Sequence, residues 1–456
     1  MTFFANLLAM TAVLAALGLL LVGLKAAEKW GRFHPEVLRK GVHVGMGLVV
    51  LPMPWVFDRA WPMIVLAVVA CGVMVAMRSI RWLRRGVGTV MDGVGRESLG
   101  EIYFPIAVTL LFVLSQGDWL LYVVPILMLT LADAVAALVG LRYGQLRYQT
   151  SDGIKSIEGS LAFFLVAFFS AHLPLLLLTD TGRAEAVLIA TILAFLVMML
   201  ECVAWRGLDN LFIPLGAHAF LRLYLGEDAG SLLVLLGIAV VLTAFALAWR
   251  GRSKLDDSAL IGCGLFGYTT VLLGGWLWLL GPAVFFLSQT VFRPRSSERR
   301  SHTVYSMLSV VGTGLFWLFL HSVTGIGWLL IPFTASFAAQ LTLFGVSRIG
   351  RQPDGGPRFP LVLGNIGFGW ILTYVPVLLI AFVGGVEPGA TGPDAPGLLV
   401  DLGLGLSALC VAAAMFYPLM PRIYGPPVRT AAINPTFAAL AALAALVASL
   451  RWLVQL

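Results

Sequence analysis

Asp133 sits a turn or two inside an apolar run, where an ionisable side chain is costly unless it has a partner or a task. Small residues follow at Ala134, Ala136, Ala137 and Gly140, then a short polar loop with Gly144, Asp152 and Gly153. The loop ends in Lys155-Ser156-Ile157-Glu158-Gly159-Ser160 at the mouth of the next apolar run. A lysine and serines next to glycine at a helix start offer free backbone N–H groups, the positive end of a helix and a mobile cation. Phosphate binding needs these features. Three further groups carry related chemistry: Arg39-Lys40-x-x-His43, Glu101 directly after Gly100, and Asp209-Asn210 ahead of an apolar run that contains Pro214.

Together these residues suit phosphoryl transfer, in which carboxylates hold Mg2+ and cations offset developing charge. Asp133 and Glu101 would hold the metal or position a nucleophile. Lys155, Arg39 and Lys40 would bind phosphates. Ser156, Glu158, Gly159 and Ser160 would line the phosphate loop, with the small residues there letting a ligand approach the backbone. Asp209 and Asn210 would close the site, and His43 is a candidate general base. Each group also has a plainer reading. Arg39 and Lys40 could only set topology, Glu101 could only favour a helix N-terminus, and Ser156 or Asp209-Asn210 could be simple helix caps. Convergence of these groups at one depth favours the functional reading.

The elements that position them are membrane helices. The chain has 456 residues, 59% hydrophobic and only 12% charged, with a mean hydropathy of +0.94. A soluble chain carries about a quarter charged residues. The composition therefore indicates an all-α, polytopic integral membrane protein, with apolar runs that predict about 14–16 transmembrane helices. They are placed at 4–24, 41–57, 61–78, 100–115, 118–140, 157–178, 185–203, 210–225, 231–249, 258–273, 275–292, 303–321, 324–346, 361–385, 398–417 and 432–454. The first run is too long for a signal-peptide core and reads as a retained helix. Cys71, Cys202, Cys263 and Cys410 all lie in apolar runs without metal spacing, as small core residues do. The net charge of +7 comes from short basic loops, which meet lipid or phosphate and do not indicate nucleic acid.

Loop charge orders the helices. The basic residues at 25–40, 79–99, 141–156, 250–254, 293–300, 348–358 and 422–429 all fall on one side of this arrangement. The opposite loops, among them Gln116-Gly117-Asp118 and Gly226-Glu227-Asp228, are short and neutral or acidic. The positive-inside rule makes the basic side cytoplasmic and puts both termini outside, in a membrane of the bacterial plasma-membrane type. The polar residues of the first half then gather at the cytoplasmic ends of their helices, Glu97 and Glu201 among them. After Arg250 ionisable residues almost vanish from the apolar runs and glycine becomes dense. The chain therefore reads as a catalytic unit over 1–250 and a second membrane unit over 251–456, without an internal repeat.

The order and spacing of Arg39-Lys40-x-x-His43, Gly100-Glu101-x-Tyr103-Phe104-Pro105, Asp133 with Ala136, Gly140 and Gly144, Lys155-Ser156-x-Glu158-Gly159-Ser160, and Asp209-Asn210 with Pro214 resemble the phytol kinase and dolichol kinase group of membrane enzymes. The resemblance spans about 39–214. It implies a CTP-dependent kinase acting on the hydroxyl of a long isoprenoid alcohol, with a lipid alcohol and a nucleotide as its partners. It also extends to CTP-using diacylglycerol kinases and, more loosely, to phosphatidate cytidylyltransferases. No Gly-x-x-x-x-Gly-Lys-Ser/Thr motif accompanies these residues, so a lipid acceptor reaching the site from the bilayer fits them. The second half is similar to a membrane family that includes a phytyl-phosphate kinase, in Ser258-Ala259, Gly274-Gly275-Trp276 and Phe285-Phe286-x-Ser288. Where that family carries Asp and Glu, this chain reads Ala338-Ala339-Gln340-Leu341-Thr342, which implies a non-catalytic role for 251–456. The alternatives are a cytidylyltransferase forming a CDP-lipid, and a lipid transporter or scaffold.

Overall fold

A computed structural model of the chain describes residues 2–29, 34–79, 99–151, 153–250, 253, 255–291, 302–349, 359–384, 395–419 and 430–454. These residues are helical almost throughout, with one two-stranded hairpin. Among the described residues, eleven helices are long and apolar enough to cross a membrane, and shorter apolar helices lie at Gly100–Ser115, Trp276–Thr290 and Pro435–Ala448. The chain is an all-α polytopic membrane protein. Glu97, Asp152 and most of the loop arginines fall outside the described residues.

The chain divides into two compact units, Met1–Val241 and Leu242–Leu456. In the first, α1 (Phe3–Lys29), α2 (Pro35–Val50), the short α3 (Met53–Val56), α4 (Ala60–Ser79) and α5 (Gly100–Ser115) come first. Next is α6 (Trp119–Leu127), which runs through a π turn (Met128–Ala132) into α7 (Asp133–Tyr143). Strands β1 (Arg147–Thr150) and β2 (Gly153–Ser156) follow, then α8 (Ile157–Leu178), α9 (Arg183–Val203), α10 (Asp209–Tyr224) and α11 (Ala229–Ala248).

Three local departures from the sequence expectation shape the site. The second helix begins at Pro35 and not near residue 41. Proline is pre-organised for the first helical turn. His34 caps that turn, its Nδ1 accepting from the Glu36 N–H at 3.2 Å. Arg39 and Lys40 are therefore inside a helix and not in a loop. The polar segment 141–156 is also more ordered than a loop. It forms an antiparallel hairpin in which Tyr148 pairs with Lys155 and Gln149 with Ile154. The third departure concerns glycines. A Cβ on Gly159 would stand 3.3 Å from Gly140 Cα and 3.0 Å from the Ala136 carbonyl oxygen. The small residues after Asp133 thus let α7 and α8 pack backbone to backbone. Of these residues, Gly159 is the one the sequence reads as letting a ligand approach the backbone.

In the second unit, α13 (Leu330–Ile349) is buried along almost its whole length. It packs against α12 (Val304–Thr324), α14 (Phe359–Gly369), α15 (Ala395–Phe416) and α16 (Thr430–Ala448). Gln340 is fully buried at its centre, and its amide lies 3.3 Å from the Ser309 carbonyl oxygen and 3.4 Å from that of Phe437. Asp401, a carboxylate within an apolar run that the sequence reading passed over, pairs with Arg451 at 3.3 Å.

Helix α2 meets the π turn at a glycine. A Cβ on Gly47 would stand 2.7 Å from Thr130 Cβ and closer still to the rest of that side chain. Only a bare backbone allows α2 to reach the turn that leads into Asp133. Replacing Gly47 with Val should overpack this contact and cost about 1–3 kcal/mol. Thermal unfolding of the detergent-solubilised protein should show a lower Tm for the variant. An unchanged Tm would mean that the contact is not tight.

Candidate functional site

Lys40 comes from the second turn of α2 and Asp133 from the first residue of α7, 93 positions apart. Their side chains meet at 2.6 Å, Lys40 Nζ donating to Asp133 Oδ2, and both are buried. A lone charge there would be prohibitively desolvated, so each group holds the other in place. One turn along α2, His43 presents Nε2 to the same carboxylate at 3.6 Å and to the Leu129 carbonyl oxygen at 3.0 Å. Leu129 lies within the π turn. Such turns are rare and concentrate at functional positions. Donation to Leu129 fixes the Nε2–H tautomer, so any basic role of His43 falls to Nδ1. The His43 ring is also held edge-on by Phe104, with centroids 5.8 Å apart.

A second ion pair is built by the hairpin. The Lys155 ammonium donates to the Glu201 carboxylate at 2.7 Å and to the Glu201 main-chain carbonyl at 2.5 Å. It thereby caps the C-terminal end of α9, where the helix dipole favours a cation. Burial would lower the Lys155 pKa, but the Glu201 charge outweighs it and holds the ammonium above the ordinary lysine range. Lys155 is therefore charged at any physiological pH. Its cross-strand neighbour Tyr148 lies on the same face of the hairpin. The Tyr148 hydroxyl sits 2.7 Å from Ser160 Oγ and 3.0 Å from Cys202 Sγ. Sequence reasoning missed Tyr148. The signal available was its place in a segment of alternating pattern ending at Lys155.

The polar side chains of the Lys155–Ser160 stretch are committed to this junction. Ser156 Oγ caps α8 by accepting from the Gly159 N–H at 3.1 Å. Ser160 Oγ donates to the Ser156 carbonyl at 3.2 Å. The Glu158 carboxylate accepts from the Leu146 N–H at 3.0 and 3.3 Å, tying the base of the hairpin to α8. The capping role read as the plainer alternative for Ser156 is thus present.

Asp209 is within electrostatic reach of both ion pairs. The charges acting on it come from Asp133, Lys40, Lys155 and Glu201. Arg39, paired with Glu36 at 2.5 Å at the rim, feels both Asp133 and Asp209. Asp209 itself forms no ion pair among the described residues, and its Oδ1 and that of Asn210 are buried without a hydrogen-bond partner. The turn before them has Arg206 at φ 52° and Gly207 at φ 86°. A non-glycine residue in that region costs energy and persists where the surroundings demand it. The Arg206 carbonyl also accepts from the Leu99 N–H at 3.0 Å, bringing the start of α5 to this turn. Glu101 stands half-buried in the first turn of α5. The structure thus joins Lys40, His43 and Asp133 directly, Lys155 with Glu201, and Asp209 electrostatically with both groups. Among the described residues no three His, Cys, Asp or Glu side chains lie together as a ready-made metal site.

Removing one partner of the Lys40–Asp133 pair strands the other. Lys40→Met should destabilise the protein by about 3–5 kcal/mol, and Lys40→Met with Asp133→Leu should recover most of that loss. Thermal unfolding of the two variants is the measure. A single variant as stable as the wild type would show that the charges are hydrated and unpaired. Tyr148→Phe loses two polar contacts of one hydroxyl and should cost about 1 kcal/mol in the same assay.

No family model matches the chain, and no solved structure matches it. It is 33% identical to a phytol kinase of Synechocystis over 184 residues, which cover 40% of this chain and 76% of that protein. On that likeness the chain belongs, as a distant member, to the phytol kinase family.

Proposed function

We propose that the chain is a kinase that moves the γ-phosphoryl group of CTP onto the hydroxyl of a membrane lipid alcohol of the phytol, polyprenol or dolichol type, at the cytoplasmic face. The observation that carries this reading is the electrostatic juxtaposition of Lys40–Asp133 and Lys155–Glu201 with Asp209, which has no ion pair among the described residues. The likeness to a phytol kinase supports it.

The geometry supports a role for each group. In the reaction the alcohol oxygen forms a bond to the γ-phosphorus while the bond from that phosphorus to the bridging oxygen breaks, and CDP leaves. The hydroxyl proton passes to a nearby base, for which Asp133 Oδ2 and His43 Nδ1 are the groups at hand. Lys40, Lys155 and Arg39 each rest on a carboxylate. An arriving triphosphate competes with those carboxylates for the ammonium and guanidinium groups, and so draws on cations already desolvated and aimed. The helix-end position keeps water out on the bilayer side, where an isoprenoid chain can lie.

Magnesium fits the residues present. It prefers oxygen ligands and takes one or two from the protein, with phosphates and water supplying the rest. The orphaned Oδ1 atoms of Asp209 and Asn210 are such ligands, and they suit the ion better than Asp133, whose Oδ2 accepts from Lys40. When bound, the ion would offset the negative charge of the phosphates. Glu101 is placed at the same end of its helix and remains a candidate outer ligand.

The test is transfer of label from γ-labelled and α-labelled CTP to phytol, longer polyprenols and diacylglycerol in liposomes. Label from the γ position should enter an alcohol, with CDP as the other product. Asp133→Asn should lower the rate by about 100-fold or more. Asp209→Asn should raise the magnesium concentration needed for half-maximal rate, and a chelator should stop transfer. Label entering lipid from the α position, with pyrophosphate released, would replace this reading with CDP-lipid formation. Transfer from neither position, with the protein folded, would favour a transporter or scaffold.

A further inference from the structure

The hairpin has two faces, and only one of them belongs to the site. Tyr148 and Lys155 point inward to the end of α9. Their strand neighbours Arg147, Gln149 and Ile154 lie on the opposite, exposed face. Ile154 is 66% exposed there. Leu146, 62% exposed, stands at the base of the hairpin beside Ile157, on the Tyr148 side. Aliphatic side chains open to water on and beside a four-residue strand are unusual unless something apolar covers them.

The chain itself says what covers them. The hairpin joins two membrane-crossing stretches, Trp119–Tyr143 and Ile157–Leu178. Ile154 is three residues from the second of these, so at about 3.3 Å per residue it stands no more than about 10 Å from the hydrocarbon edge. That distance is comparable with the depth of the headgroup layer. Exposed Arg147 lies on the same face, and exposed Arg142, over the Tyr143 ring at 5.4 Å, is in the last turn of the helix that leads to the hairpin. A basic rim, an interfacial aromatic and outward aliphatic side chains match a surface of anionic phosphates above acyl chains.

We infer that the outer face and the base of the hairpin lie in the headgroup layer of the bilayer, with Ile154 on that face and Leu146 at the base meeting the acyl boundary, and Arg147 and the helix-end Arg142 on anionic lipid phosphates. The strand that carries Lys155 is then held from both sides, by the end of α9 within and by lipid without. This placement does not depend on the proposed kinase reaction.

Spin labelling tests it without nucleotide. In a background with Cys71, Cys263 and Cys410 changed to Ser, Ile154→Cys and, separately, Leu146→Cys carry a nitroxide in liposomes. Glu227→Cys, on the exposed turn between α10 and α11, is the aqueous reference. Collisions with oxygen should exceed those with a water-soluble nickel chelate at 154 and 146, and the order should reverse at 227. Changing the lipid from phosphatidylcholine to a mixture with phosphatidylglycerol should shift the 154 label deeper. Arg142→Gln with Arg147→Gln should abolish that shift. Nickel collisions at 154 and 146 as frequent as at 227 would place the face in water and overturn the inference. A depth at 154 indifferent to anionic lipid would overturn the assignment of the two arginines.

Discussion

A charge at the end of a membrane helix is tolerable only when something compensates it, and the first unit depends on that constraint. Lys40 can stay buried because Asp133 meets it, and Lys155 because Glu201 does. Each pair also closes a long loop of chain, the first between α2 and α7 and the second between the hairpin and α9. The surrounding structure serves those meetings. Gly47 lets α2 reach the π turn, Gly140 and Gly159 bring α7 against α8, and the Ser156 cap with Glu158 fixes the hairpin on its helix. The pairs are weak evidence for stability as such, since well-packed apolar residues often do as well. Their value lies in holding cations desolvated and oriented.

Asp209 is what three neutralising pairs leave over. Glu36 has Arg39, Asp133 has Lys40 and Glu201 has Lys155. Asp209 forms no ion pair among the described residues, and it follows a strained Arg206–Gly207 turn. A surplus carboxylate beside orphaned oxygen is a sensible partner for a cation brought in with phosphates. In the proposed reaction a divalent cation would offset that surplus carboxylate.

Much of this was legible in the sequence. Runs of apolar residues mark the helices, because length and hydropathy alone decide whether a helix can cross a bilayer. Asp133, Lys40 and Lys155 stood out because charges are rare in such runs. Their pairing was not legible, because a contact across 93 residues leaves no local pattern. The start of α2 was misplaced because its charged first turns read as loop, although Pro35 and Glu36 carried the helix signal. The hairpin was read as a loop because four-residue strands give too little alternation, and Tyr148 was lost with it. Gly159, which the sequence offers as room for a ligand, also packs α8 against α7. The π turn and the positive φ of Arg206 had no sequence signature, since tertiary contacts impose both.

The central claim is that the site's cations rest on carboxylates and pass to phosphate when nucleotide arrives. Equilibrium binding of CTP to Glu201→Gln in liposomes, at fixed magnesium and salt, tests it most directly. If Glu201 competes with phosphate for Lys155, neutralising it should tighten binding severalfold while the Lys155 contact to the Glu201 main-chain carbonyl keeps the hairpin in place. If the affinity is unchanged in a variant that unfolds at the wild-type temperature, the Lys155–Glu201 pair is only a clamp on α9 and the account is wrong.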